Sequence, residues 1–160
     1  MKISARLLGG SVAALALGAA TAAAAPSGAL FTTTADGAVV NENHYAYSTD
    51  VYLSGGPLCN ARNMSDLPDG WYAFKVTDAS GRTDMTAAEP VTERRFQVAS
   101  GAVVRASDPG DHPINVTRCG AVLRVGPFAT TSANGEYKLH VVPVAEGGAA
   151  TFTPSRTKTD

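Results

Sequence analysis

The sequence predicts an all-β domain, an antiparallel β-sandwich of seven or eight short strands. Three observations carry that expectation: short runs alternating apolar with polar residues recur about every ten residues, Gly and Pro stand between them, and helical periodicity is almost absent. The composition supplies the punctuation, with 16 Gly and 9 Pro in 160 residues. An open barrel is the alternative that the same pattern allows.

The clearest run is Leu67 to Gly81. A Pro68-Asp69-Gly70 turn launches a strand in which Tyr72, Phe74 and Val76 alternate with Trp71, Ala73, Lys75 and Thr77. Asp78-Ala79-Ser80-Gly81 then turns the chain back, so the strand has one buried face and two punctuated ends.

The first 24 residues read as a secretory signal peptide. Lys2 and Arg6 precede an apolar run from Leu7 to Ala20, and Ala22-Ala23-Ala24 matches the small-residue cleavage pattern, which places the cut after Ala24. The apolar run is too short for a spanning helix, which needs about 20 residues. The expected product is secreted, or periplasmic or otherwise held at the cell envelope, without a transmembrane segment. Without Lys2 and Arg6, 11 basic side chains face 14 acidic ones, a net charge of −3, and no basic cluster exceeds Arg94-Arg95. Nucleic acid is therefore not an expected partner, because neutralising phosphates takes a concentrated basic face.

The exported part, residues 25–144, is expected to form one sandwich domain, a common domain size. Ala29 to Thr34 and Ala38 to Asn41 read as a hairpin about Ala35-Asp36-Gly37. Asn41 to Thr49 is a polar stretch carrying Tyr45 and Tyr47. Asp50 to Leu53 is a short strand stopped by Ser54-Gly55-Gly56-Pro57, and Leu58 to Asp66 a connection bearing Cys59. Beyond the central strand, Arg82 to Glu93 is the one place for a short helical turn, closed by Pro90. Arg94 to Val98 and Ala102 to Arg105 are strands about Ser100-Gly101. Ala106 to Pro113 is an exposed loop, Ile114 to Val116 an edge strand, Ala121 to Val125 a strand, and Glu136 to Val144 a strand with Tyr137, Leu139 and Val141 on one face. Residues 145–160 are expected to be a flexible C-terminal tail.

Candidate chemistry is sparse. Cys59 and Cys119, an even count in an oxidising compartment, are expected to form a disulfide rather than a metal site or a reactive thiol. His44, His112 and His140 are too scattered for a zinc set, and His140 is expected to face solvent. No Ser sits in a Gly-x-Ser-x-Gly elbow. The carboxylate pairs Asp66/Asp69 and Asp108/Asp111 flank Pro and Gly, as turn-forming Asp residues do, so no catalytic residue is assigned and an enzyme is not expected. Calcium is the least remote metal. Asp108 and Asp111 with the backbone of residues 106–113, or Asp36 with Asn41 and Asn43, offer oxygens of the right kind, although solvated loops are the favoured reading.

Trp71, Tyr45 and Tyr47 are candidate ligand-binding residues, because exposed aromatic rings stack on sugars and partner surfaces. For Trp71 the favoured reading is a ring covering the sheet end as core. Asn63-Met64-Ser65 and Asn115-Val116-Thr117 match a glycosylation acceptor that counts only in a eukaryotic secretory pathway.

The run Leu67-Pro68-Asp69-Gly70-Trp71-Tyr72, followed by Val76-Thr77-Asp78 and Ser80-Gly81, resembles the corresponding strand of transthyretin-like (CNA-B/SdrD-B-like) sandwich modules of bacterial surface proteins. More broadly, Gly28 to Thr34, Asp50 to Leu53 with Gly55-Gly56-Pro57, Arg95 to Val98, Pro127-Phe128 and Gly135 to Lys138 with Pro143 resemble an uncharacterised family of bacterial exported proteins. In such relatives the chain continues past a segment like Lys158-Thr159-Asp160, which would make this a shortened member. The resemblance implies a prealbumin- or immunoglobulin-like fold and a non-enzymatic role as spacer, stalk or ligand presenter. A small carbohydrate-binding module, with or without calcium, is the alternative. Either way, a protein or glycan at the cell surface is the expected partner.

Overall fold

The computed structural model describes residues 24–42, 44–60, 65–128, 132 and 134–160. The expected signal peptide therefore lies outside the described residues except for Ala24, as does Asn63-Met64 of the first acceptor motif. Two antiparallel sheets face each other as a β-sandwich. Among the described residues nine strands build them: β1 Phe31–Thr33, β2 Tyr52–Ser54, β3 Gly70–Asp78, β4 Arg95–Ala99, β5 Ala102–Ala106, β6 Ile114–Thr117, β7 Gly120–Arg124, β8 Tyr137–Val144 and β9 Lys158–Thr159. The first sheet runs β1-β2-β7-β6 and the second β5-β4-β3-β8-β9.

The period-two reading sets the interior. Tyr72, Phe74 and Val76 of β3, Phe96 and Val98 of β4, and Tyr137, Leu139 and Val141 of β8 are buried in one cluster with Leu53 and Leu123 of the opposing sheet. Tyr72 stacks on Phe96 at 5.5 Å between ring centroids. The turn from β4 to β5 puts Ser100 at φ 51° and Gly101 at φ 74°. Two left-handed residues in succession match the right-handed twist of a hairpin, which makes the turn tight, and the register shifts by a bulge between Gln97 and Val98.

Several expectations are revised. The hairpin over residues 29–41 is reduced to a single bridge between Thr33 and Val40, and β1 instead pairs along its length with β2. A second cluster of Ala29, Phe31, Leu58 and Val122 explains the choice, since it covers the outer side of the first sheet and leaves all three residues of β1 buried. Residues 82–93 form turns closed by Glu89 N–H to Thr86 O and Glu93 N–H to Pro90 O. The helical turn among the described residues is a 3-10 turn at Ser48–Asp50. His112, placed in an exposed loop by sequence, is 1% exposed.

Residues 145–160, expected to hang as a flexible tail, fold back on the second sheet. Lys158 and Thr159 pair with Val141 and His140 of β8. Phe152 comes under the Lys75 ammonium at 5.3 Å from the ring centroid. Ala73 and Val142 lie on the outward phase of β3 and β8, yet both are fully buried. Asp160 reaches the other sheet: its Oδ2 accepts from Thr32 N–H at 2.6 Å and from Thr32 Oγ1 at 2.7 Å.

Candidate functional site

The expected disulfide is formed. Cys59 and Cys119 lie with Cα atoms 4.7 Å apart and join the connection after β2 to the β6–β7 turn across 60 residues of chain. Thr117 Oγ1 accepts from Cys119 N–H and donates to Gly120 O, which shapes that turn.

The three candidate aromatic residues do not share a surface. Trp71 is paired with Val144 at one end of β8, whereas the Tyr45 ring lies 6.4 Å from that of Tyr137 at the other end. Seven residues of strand separate the two places, about 23 Å. Trp71 is half-buried on the outward face of the second sheet and belongs to neither apolar cluster, which corrects the core reading. Its row on that face contains Val144, Gln97 and Arg105 by register. The Arg105 guanidinium stands 5.5 Å from the Trp71 ring centroid, and Glu146 is 3.8 Å from Arg105. The result is an indole flanked by an amide, a guanidinium and a carboxylate at the open end of the sheet, next to the part that the chain after β8 covers.

Tyr45 is buried at 7% exposure, so it cannot offer an outward ring, while Tyr47 is 69% exposed. The Tyr45 hydroxyl donates to Thr33 O at 3.2 Å. Burial, reinforced by the negative charges of Glu42 and Asp160, pushes its pKa up against the opposing hydrogen bond from Thr32. Beside it is a cavity of about 420 Å³ whose lining includes Thr34, Glu42, His44, Tyr45, Asp50 and Tyr52.

Under the turns of residues 85–93, His112 is held on both ring nitrogens. Nδ1 faces Arg124 O at 3.0 Å and Nε2 faces Glu89 Oε1 at 2.5 Å. A carbonyl oxygen only accepts, so Nδ1 carries a proton and a further one lies between Nε2 and the Glu89 carboxyl. The ring meets Phe74 edge-on at 5.0 Å. Arg94 lies alongside, donating from Nη1 to Phe74 O and Thr86 Oγ1 and from Nε to Glu89 O. These groups tie the 85–93 turns to β3 and β7 and floor a cavity of about 280 Å³.

The calcium candidates serve their own turns. Asp108 Oδ1 accepts from Gly110 N–H and Asp111 N–H, and Asp36 Oδ1 accepts from Thr34 Oγ1 and Ala38 N–H. Asn43 lies outside the described residues. Among the described residues, no three His, Cys, Asp or Glu side chains converge as a metal site would require. His140, expected to face solvent, is partly covered, with Nε2 2.9 Å from Thr77 Oγ1 and Nδ1 3.3 Å from Thr159 Oγ1. Burial first, and then the charges of Lys75 and Lys138, push its pKa down to about 4 against the opposing influence of Asp84.

Sequence reasoning missed Arg105, Glu89 and the Glu42–Asp50–Tyr52 grouping. Glu42 and Asp50 do flank the Tyr45/Tyr47 stretch in sequence, a visible signal, but Tyr52 joins them only through the fold. No helix among the described residues is long and apolar enough to cross a membrane. Comparison with models of protein families, with curated proteins and with solved structures finds no match to this chain.

Proposed function

We propose that the chain is an exported, non-enzymatic, disulfide-stapled β-sandwich acting as a structural or interaction module at the bacterial cell envelope or outside the cell. The observation that carries this reading is the Cys59–Cys119 bridge, since such bonds form and persist in oxidising compartments. The signal-like N-terminus and the kinship proposed with transthyretin-like surface modules point the same way. The non-catalytic part of the reading is supported by His112, whose two ring nitrogens are both engaged and which braces loops.

Expression of the full chain in a bacterial host, followed by fractionation, mass measurement and thiol alkylation, tests it. The expected product lies outside the cytoplasm, begins at Ala25 and is alkylated only after reduction. An uncleaved cytoplasmic product with two free thiols overturns the proposal.

A second reading, a carbohydrate-binding module, is favoured by Trp71, whose outward, half-buried ring has polar neighbours in Gln97, Arg105 and Glu146. Sugar sites combine an aromatic face with a few placed polar groups. In a glycan screen, Trp71→Ala should abolish any binding while leaving the melting temperature nearly unchanged. Binding that survives this substitution removes Trp71 from the reading.

A further inference from the structure

The outward face of the second sheet, on which the chain after β8 folds back, gathers cations without acids. Strand alternation puts Lys75 of β3, Arg95 of β4, Arg105 of β5 and Lys138 with His140 of β8 on that face, and no Asp or Glu of these strands shares it. Among the described residues, the one ion pair these cations make is that of Arg105 with Glu146. Arg95 is 6% exposed, and its Nε has no hydrogen-bond partner. By register it stands opposite Ala73, one outward position along β3 from Lys75. Arg156, in the returning chain, also has a buried Nε without a partner. A merely solvated face does not account for these two groups, because both atoms are shut off from solvent.

Between the sheet and the returning chain is a cavity of about 330 Å³ whose lining includes Lys75, His140, Phe152, Thr153, Thr157 and Thr159. No Asp or Glu lines it. Thr77 Oγ1 donates to Asp78 O, so it accepts from His140 Nε2–H, and the ring accepts at Nδ1 from Thr159 Oγ1. His140 is therefore neutral, and Lys75 supplies the charge of the lining. Its ammonium lies over the Phe152 ring. Asp84, the acid whose field reaches His140, is turned to the N–H and hydroxyl of Thr86. Arg156 N–H and Thr157 N–H both donate to Thr153 O, which sets Arg156 in the turn that closes the cavity.

Positive charge beside hydroxyls, with no counter-charge, selects an anion, and the arrangement decides which kind. Lys75 enters from the sheet and Thr153 from the returning chain, so donors come from two sides. A tetrahedral oxyanion presents acceptor oxygens in several directions, whereas a carboxylate presents two in one plane.

We propose that this cavity binds a phosphate group, supplied by free phosphate or by a phosphate ester, with Lys75 as its anchor and Arg156 adding charge from the closing turn. The proposal rests on the interaction-module reading and gives the partner its chemistry. It is tested on purified, oxidised protein, so its failure leaves the export experiment and the reading tested there untouched.

Inorganic phosphate, glycerol 3-phosphate, glucuronate and sodium chloride are titrated separately at matched ionic strength, with backbone amide NMR shifts as the readout. Saturable shifts at residues 75, 140, 153 and 156–159 are expected for the two phosphate compounds, and none there for chloride. Equal affinity for the two identifies free phosphate as a sufficient ligand; tighter binding of glycerol 3-phosphate identifies an ester. Glucuronate should bind about tenfold more weakly than either.

Lys75→Gln should weaken phosphate binding about tenfold through loss of a charge-assisted contact. Arg156→Gln should weaken it about threefold, as a partly solvated charge does. Arg118→Gln, in the β6–β7 turn of the other sheet, is the control and should leave affinity unchanged. Thermal melting of each variant checks folding. The proposal is overturned if neither phosphate compound gives saturable shifts at these residues, if chloride or glucuronate binds there as tightly, or if folded Lys75→Gln binds as well as the parent.

Discussion

At the scale of single residues, the most constrained side chain is His112. Its imidazole is clamped between a main-chain carbonyl and Glu89 while its ring edge rests on Phe74. His112→Ala would leave the Glu89 carboxyl without its partner and open space beside Phe74, an expected loss of about 3 kcal/mol in a denaturant titration. Glu89→Gln keeps an acceptor and should cost about 1 kcal/mol. No loss for Glu89→Gln would mean that the contact is packing alone. His112 was invisible in the sequence because Asp108-Pro109-Gly110-Asp111 reads as solvent-facing loop, and a loop's residues are buried or exposed according to what lies across from them. Tyr45 failed for the same reason: Tyr137, far along the chain, packs against its ring, and Phe128 packs in turn on Tyr137. Tyr72, Phe74 and Val76 were legible because the pleat of a strand assigns alternate residues to opposite faces without outside help.

At the scale of elements, the return of residues 145–160 matters most. β9 extends the second sheet beyond β8, and Asp160 then bonds Thr32 of β1, so two sheet edges are linked by one carboxylate. Hydrogen bonds to a charged acceptor contribute about 1.5–3 kcal/mol each. Asp160→Ala removes two of them and is therefore expected to lower stability by about 3 kcal/mol, and hydrogen exchange should quicken at Thr32 and around β9 while β4 stays protected. Uniform quickening across both sheets would show that the contact is not local to this edge. Small, polar composition made this segment look like a tail. Its order comes from β8, which offers an open edge, and from Lys75, whose ammonium lies over the Phe152 ring.

At the scale of the molecule, the disulfide and the titrating groups set stability. Replacing Cys59 and Cys119 by Ser frees a span of 60 residues and should lower stability by about 4 kcal/mol on the chain-entropy account. A change near zero would mean that the second apolar cluster already holds the span together.

Stability should also fall in acid in two steps. The folded pKa of His140 is about 4, against an ordinary 6.5. The unfolded chain therefore binds more protons between those values, and His140's contribution, complete above pH 6.5, declines as pH falls toward 4. Asp78 is held down to about 2 from 3.8, first by the Ser80 hydroxyl and, against desolvation, by backbone N–H groups of Thr83 and Arg82. Its contribution is present above pH 3.8 and is lost toward 2. Chemical denaturation across this range should show a flatter slope between pH 4 and 6.5 for His140→Gln. An unchanged slope would remove His140 from the account.

The sequence alone determined the all-β class, the phase of β3, β4 and β8, and the cysteine pair, because strand alternation is a local property and two cysteines allow one pairing. Tertiary structure decided the rest: β2 rather than residues 38–41 as the partner of β1, the outward place of Trp71, the burial of Tyr45 and His112, and the acidic cavity at Tyr52. Each of these depends on which surfaces the second cluster and the chain after β8 cover. Covering is a long-range competition for apolar area and backbone hydrogen bonds, and no local pattern encodes its outcome.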